Sequence, residues 1–148
     1  VVERACAQYA PRAEEKGIVL AVGAAEGTAV FDAKWTEEAV CNLLDNAVKY
    51  TPSGGTVAVE VQNYELFSAV RVTDTGPGIP ESEQAEIFNR FFRGRDACTA
   101  QGLGLGLYLA REILTKQGGY IKVTSRPGEG CTFSLYLPRE IQDAGGEK

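Results

Sequence analysis

An α/β domain is the fold class this sequence predicts, on three observations. Segments whose apolar residues recur at helical spacing interleave with short segments that alternate apolar and polar, and glycine or proline turns part the two kinds. A chain of 148 residues with 44% hydrophobic residues can close one ordinary core, so a single domain is expected.

Residues 1–16 read as a helix with Val2, Ala5, Cys6 and Tyr9 on one stripe and Gly17 as its stop, and Pro11 predicts a kink or a fresh start within it. Residues 18–22 and 28–31 read as short strands around a glycine-containing turn at 23–27. Residues 36–50 read as a second helix, with Val40, Leu43, Leu44 and Ala47 facing a core and Glu37 and Glu38 near the positive end of its dipole. Thr51-Pro52-Ser53-Gly54-Gly55 ends it. Residues 56–63 and 67–74 alternate as an antiparallel pair of strands. Residues 82–93 read as a short helix carrying Ile87, Phe88, Phe91 and Phe92, with Arg90 and Arg93 among the aromatics. Residues 94–101 have no periodicity and read as a mobile loop. Gly102-Leu103-Gly104-Leu105-Gly106-Leu107 then runs into a helix that ends at Gly118-Gly119. Residues 120–125 and 131–137 form a hairpin around 127–130, and 139–148 is a polar tail.

Composition excludes several function classes. A net charge of -5 without a Lys/Arg cluster argues against nucleic acid as a partner. No apolar run reaches membrane-spanning length and no signal peptide is present. Cys6, Cys41, Cys98 and Cys131 are too scattered for a metal-type pair, so reduced thiols in a cytoplasmic setting are expected. With no Met in the chain, Val1 is not a natural start, and the sequence is expected to be a piece of a longer protein. The absence of His removes the commonest general base and metal ligand, leaving carboxylates, amides, Lys, Arg and backbone groups to do any chemistry.

Three local patterns point at a ligand. Asp74-Thr75-Gly76-Pro77-Gly78-Ile79 follows a strand in which Val70, Val72 and Asp74 share a face. A carboxylate in register with core valines is costly unless it accepts hydrogen bonds. Asp74 therefore either caps a tight turn or holds a ligand amino group over a glycine floor. Asn42, Asn46 and Lys49 form a second stripe on the 36–50 helix, read either as a solvated face or as amides kept for coordination, since Asn is a poor helix former. The glycines at 102, 104 and 106 open a helix whose free N–H groups suit phosphate. Their G-x-G-x-G spacing after a loop fits neither the Rossmann fingerprint nor a P-loop.

In this order and at these separations, the patterns resemble the catalytic, ATP-binding domain of sensor histidine kinases, within the wider gyrase-like, chaperone-like and mismatch-repair ATPases. The resemblance spans about residues 1–138. It implies a two-layer α/β sandwich, a mixed sheet of five or so strands with three helices on one face and a flexible lid over ATP. Asn42-Leu43-Leu44-Asp45-Asn46-Ala47-Val48-Lys49-Tyr50 resembles the N box. By that likeness Asn46 ligates Mg²⁺, Asn42 supports metal and phosphates, Lys49 pairs with phosphate and Tyr50 packs on the nucleotide. Asp74 accepts from the adenine amino group, with Gly76, Gly78 and Ile79 beside the base. Residues 86–92 resemble the F box, with Arg90 joining Asn42 and Lys49 in the catalytic set. Gly102, Leu103, Gly104, Leu105, Gly106 and Leu107 cradle phosphates and hinge a lid at 93–101. Residues 128–133 resemble the closing glycine box, where Cys131 replaces the usual Ser or Thr and Thr132 offers the hydroxyl.

The implied function is donation of the γ-phosphoryl of ATP to a histidine in a separate dimerisation domain, with a response regulator downstream and a membrane-anchored parent. A nucleotide-binding regulatory module and a gyrase-like ATPase clamp are the alternatives. The phenylalanines at 88, 91 and 92 argue against the clamp.

Overall fold

The computed structural model describes residues 2–23, 33–79, 81–84, 86–88, 106–125 and 128–138. The expected strand at 28–31, the loop and lid at 93–101, the residues Arg90 and Gly102 to Leu105, and the tail at 139–148 lie outside these. In chain order the elements are α1 (Val2–Lys16), β1 (Val19–Val22), α2 (Ala33–Tyr50), β2 (Thr56–Asn63), β3 (Phe67–Asp74), α3 (Glu81–Gln84), α4 (Gly106–Lys116), β4 (Tyr120–Ser125) and β5 (Cys131–Pro138).

The strands form one five-stranded sheet in the order β1-β2-β3-β5-β4. Among the described residues only the β1–β2 pair is parallel; β2–β3, β3–β5 and β5–β4 are antiparallel. This is the expected mixed α/β sandwich. Alternation sends Val57, Val59, Val70, Val72, Phe133 and Leu135 to one face, where they are buried with Leu43, Leu44 and Val40 of α2 and Leu114 of α4. Arg71, Thr73, Lys122 and Tyr136 fall on the other face. There Tyr120 stacks on Tyr136 at 4.5 Å between ring centroids, and Lys122 lies over both rings.

Helices α1 and α2 run parallel, as a ladder of contacts one turn apart shows. Arg4 pairs with Glu37 at 3.3 Å, the Cys41 thiol donates to Gln8 at 3.4 Å, and Arg12 pairs with Asp45 at 3.2 Å. At the last rung, Lys16 Nζ donates to the carbonyls of Val48 (2.8 Å) and Lys49 (2.7 Å). These are carbonyls that the end of α2 leaves without an intrahelical partner, so Lys16 closes that end. The helix α1 continues through Pro11, so the proline neither ends it nor starts another.

Two other boundaries differ from the sequence reading. Helix α2 begins at Ala33 rather than at residue 36, which moves Glu37 and Glu38 out of the first turn. Thr36 does not act at the helix start. It is buried, and its hydroxyl meets Gln117 beyond α4 at 3.1 Å, a tertiary contact with no local signature. The helix expected at 82–93 begins one residue earlier, at Glu81, and turns at 86–88, while 85 and 89–93 lie outside the described residues. Among the described residues of this stretch Glu81–Gln84 is α-helical, and a turn follows in which Glu86 and Ile87 both donate to the Glu83 carbonyl. Ile87 and Phe88 are buried from that turn, Phe88 edge-on to Phe133 at 6.1 Å.

Candidate functional site

Asp74 ends β3 between β2 and β5, opposite Val57 on one side and Cys131 on the other, and is 2% exposed. The Gly76 N–H donates to its Oδ1 at 2.9 Å, so one oxygen closes the turn as an Asx cap does. The turn-capping role is therefore real and occupies one side of the carboxylate. The chain is then tied back to β2, where Thr75 N donates to the Thr56 carbonyl and the Thr75 hydroxyl accepts from Thr56 N at 2.9 Å. Gly78 takes φ +81, which fits glycine there, and Ile79 is fully buried beyond it.

Beside this turn lies a cleft of about 450 Å³ lined by Lys16, Lys49, Tyr50, Thr75, Gly76 and Gly128, among others. The end of α2 and the Asp74 turn thus face one space, as their sequence patterns suggested. Lys49 is held by Asp45 at 3.3 Å, one helical turn back, and Arg12 takes the other oxygen of the same carboxylate. Charge from α1 thereby shares Asp45 with Lys49.

Farther up α2, the side-chain amide nitrogens of Asn42 and Asn46 are buried with no hydrogen-bond partner among the described residues. A buried amide left so costs about 1–3 kcal/mol. Two of them one turn apart mark a place built for something polar. The N-terminus of α4 arrives there: a Cβ at Gly106 would sit 3.9 Å from the Asn42 carboxamide oxygen. The positive end of the α4 dipole therefore stands over the asparagine stripe. Leu107, the next residue, packs against the core.

Thr132 is the sequence candidate that this geometry leaves out. It neighbours Asp74's partner Cys131 in β5, so alternation turns it to the opposite face, and its hydroxyl meets Thr73 at 3.2 Å across the ladder. Cys131, buried and in register with Asp74, faces the site instead.

Several residues at the site carried no pattern that a sequence reading would find. Lys16, Arg12 and Asp45 act through partners 32 to 33 positions away. Ser125 accepts from Ile79 N at 2.8 Å, and Gln84 donates to the carbonyls of Ile79 and Ser125 at 2.9 Å each. The one signal available was position: Ser125 ends a strand beside a glycine-rich turn, as many inert serines do.

Comparison with known proteins gives a consistent picture. The family model described as histidine kinase-, DNA gyrase B- and HSP90-like ATPase matches residues 31–141. The adaptive-response sensory kinase SasA of Rippkaea orientalis is 43% identical over 112 residues, covering 75% of this chain and 29% of that protein. Among solved structures, a mycobacterial sensor histidine kinase MprB superposes with a TM-score of 0.84 at 31% identity, covering 95% of both chains. Full-length ShkA in complex with AMPPNP superposes with a TM-score of 0.81 at 29% identity, covering 93% of this chain and 29% of that one. The chain spans less than a third of the length of the curated relatives it matches.

Proposed function

We propose that this chain, which belongs to the histidine kinase-, DNA gyrase B- and HSP90-like ATPases, is the ATP-binding catalytic domain of a two-component sensor histidine kinase. The observation that carries the reading is that α2 meets the Asp74 turn at its end, where Lys49, Tyr50, Thr75 and Gly76 line one cleft, and meets the N-terminus of α4 at Asn42, beside two unpartnered asparagine amides. Asp74 accepts a hydrogen bond from the adenine 6-amino group, which an acceptor-only carboxylate recognises and a 6-oxo base does not satisfy. Tyr50 and Lys49, in the cleft beside it, take the sugar and the phosphates.

The orphaned amides of Asn42 and Asn46 fit a triphosphate with its divalent cation. Each amide offers a nitrogen donor to a phosphate oxygen and a neutral oxygen ligand to a hard cation. Asn46 would hold Mg²⁺, which shields the charge of the β- and γ-phosphates when bound. The α4 N-terminus adds its N–H groups and dipole on the same side. Lys49 exchanges Asp45 for phosphate, a change eased by Arg12, which keeps Asp45 neutralised.

In the transfer itself, a histidine nitrogen of the parent protein's dimerisation domain attacks the γ-phosphorus, the P–N bond forms, and the bond to the ADP oxygen breaks. The residue one turn before Asn46 is Asn42, which cannot serve as a base on water. The nucleotide is therefore kept for an acceptor that brings its own nucleophile. A response regulator then receives the phosphoryl group, on the cytoplasmic side of a membrane-anchored parent. No helix among the described residues is long and apolar enough to cross a membrane.

The test is ATP-dependent labelling of the parent protein. Acid-labile phosphohistidine that disappears in Asp74→Asn and Asn46→Ala supports the reading. Nucleotide binding without any transfer would leave a regulatory module. Brisk hydrolysis without transfer would favour the clamp-type ATPases.

A further inference from the structure

The turn that carries Asp74 is held by a polar network that reaches outside the nucleotide-facing residues. The Ser125 hydroxyl has one donor and two acceptor sites, and all three are used. It donates to the Gly130 carbonyl at 2.7 Å, accepts from Ile79 N at 2.8 Å, and accepts from the Cys131 thiol at 3.2 Å. One hydroxyl therefore joins the far end of the Asp74 turn to the start of β5. Gln84, from α3, repeats the link on the other side by donating to the carbonyls of Ile79 and Ser125. A third tie, Gly128 N to the Pro77 carbonyl at 2.6 Å, closes the β4–β5 turn over the loop.

These ties bear on Asp74 through the start of β5. Cys131 is its register partner, and Gly130, at φ +84, presses so closely that a Cβ there would collide with the Asp74 carbonyl. Ile79, at the far end of the turn, and Cys131, across the ladder from Asp74, are each bound by Ser125 and both buried. The Gly76 N–H holds one oxygen of Asp74, while Ser125 and Gln84 hold the far end of the same turn and the strand start paired with Asp74.

We infer that Ser125 and Gln84 are positioning residues for base selection: they aim the Asp74 carboxylate so that it distinguishes a 6-amino purine from a 6-oxo purine. This rests on the adenine-binding reading given above. Neither residue is assigned a contact with the nucleotide. A site must hold its groups to within about half an ångström to discriminate well, and a single hydroxyl with three partners is what enforces that here.

The experiment is calorimetric titration of the chain with ATP and with ITP in the presence of Mg²⁺. The wild type is expected to prefer ATP by roughly tenfold or more, the range of one buried hydrogen bond. Ser125→Ala is expected to lower that preference about threefold to tenfold, and Ser125→Thr, which keeps the hydroxyl, to restore it. Partial unfolding reduces both affinities by the same factor and leaves their ratio alone, so the ratio reports aim rather than stability. An unchanged ratio in Ser125→Ala overturns the inference, as does an equal loss in Ser125→Thr, which would trace the effect to shape. Should Ser125→Ala not fold, the ratio in Gln84→Ala decides by the same criterion. A wild type that does not prefer ATP overturns the adenine reading itself, and this inference with it.

Discussion

Asp74 spends one oxygen on the Gly76 N–H and sits 2% exposed, so its identity as a carboxylate matters more than its size. Asp74→Asn turns an acceptor into a group that can present its own NH₂ to the base. We expect ATP affinity to fall by about 1–3 kcal/mol, roughly fivefold to 150-fold. Calorimetry showing equal affinity would remove Asp74 from the base site. Cys41 gives a second prediction at this scale. Burial pushes its thiol pKa up to about 11 from 9.0, helped by the charges of Glu37 and Glu38. The folded chain then holds that proton over a range where the unfolded chain releases it. Its contribution to stability is complete below pH 9 and is lost as pH rises toward 11. Burial raises the Cys6 pKa in the same direction. Urea midpoints should fall between pH 9 and 10.5, and less steeply in Cys41→Ala. Parallel slopes for the two proteins would show that Cys41 is not the source.

The parallel pairing of α1 with α2 explains how a helix that supplies few core residues still shapes the site. Its last residue, Lys16, closes the carbonyls of Val48 and Lys49, and Ser53 ties the following turn to the Lys16 carbonyl at 2.7 Å. The end of α2, where Lys49 and Tyr50 face the cleft, is therefore fixed from outside. A cation at a helix C-terminus contributes about 0.3–1 kcal/mol. Lys16→Met, which keeps much of the stem, should lose about that amount, read from the urea midpoint at constant m. A midpoint equal to wild type would mean water closes those carbonyls as well as Lys16 does.

For the molecule as a whole, the prediction concerns what happens to the γ-phosphate. The chain has no His, so it cannot form phosphohistidine on itself. The Asn at position 42 also denies it the general base that typically gives about 10²–10⁴-fold. The isolated chain should bind ATP with Mg²⁺ and hydrolyse it very slowly, and Asn42→Glu should raise hydrolysis modestly without helping transfer. Phosphate release from the isolated chain as brisk as that of an ATP-driven clamp, abolished by Glu38→Gln, would move the reading to the ATPases. That outcome would make Glu38, two turns before Asn46, the base after all.

The sequence by itself determined the residues' faces. Period two in β2, β3, β4 and β5 and period 3.6 in α1, α2 and α4 are properties of neighbouring positions, so the strands and the core stripe of α2 were legible locally. The placing of Asn42, Asn46 and Lys49 on one side of a helix, and of Asp74 at a strand end, followed in the same way. Only the tertiary structure decided which strands lie side by side. By setting β5 between β3 and β4, it put Cys131 rather than Thr132 beside Asp74 and brought Ser125 to Ile79. It also started α2 at Ala33 and gave Asp45 to Arg12. Side-chain direction repeats along the chain and can be counted. A hydrogen bond between positions 46 apart, such as Ile79 to Ser125, exists only once the sheet has chosen its order.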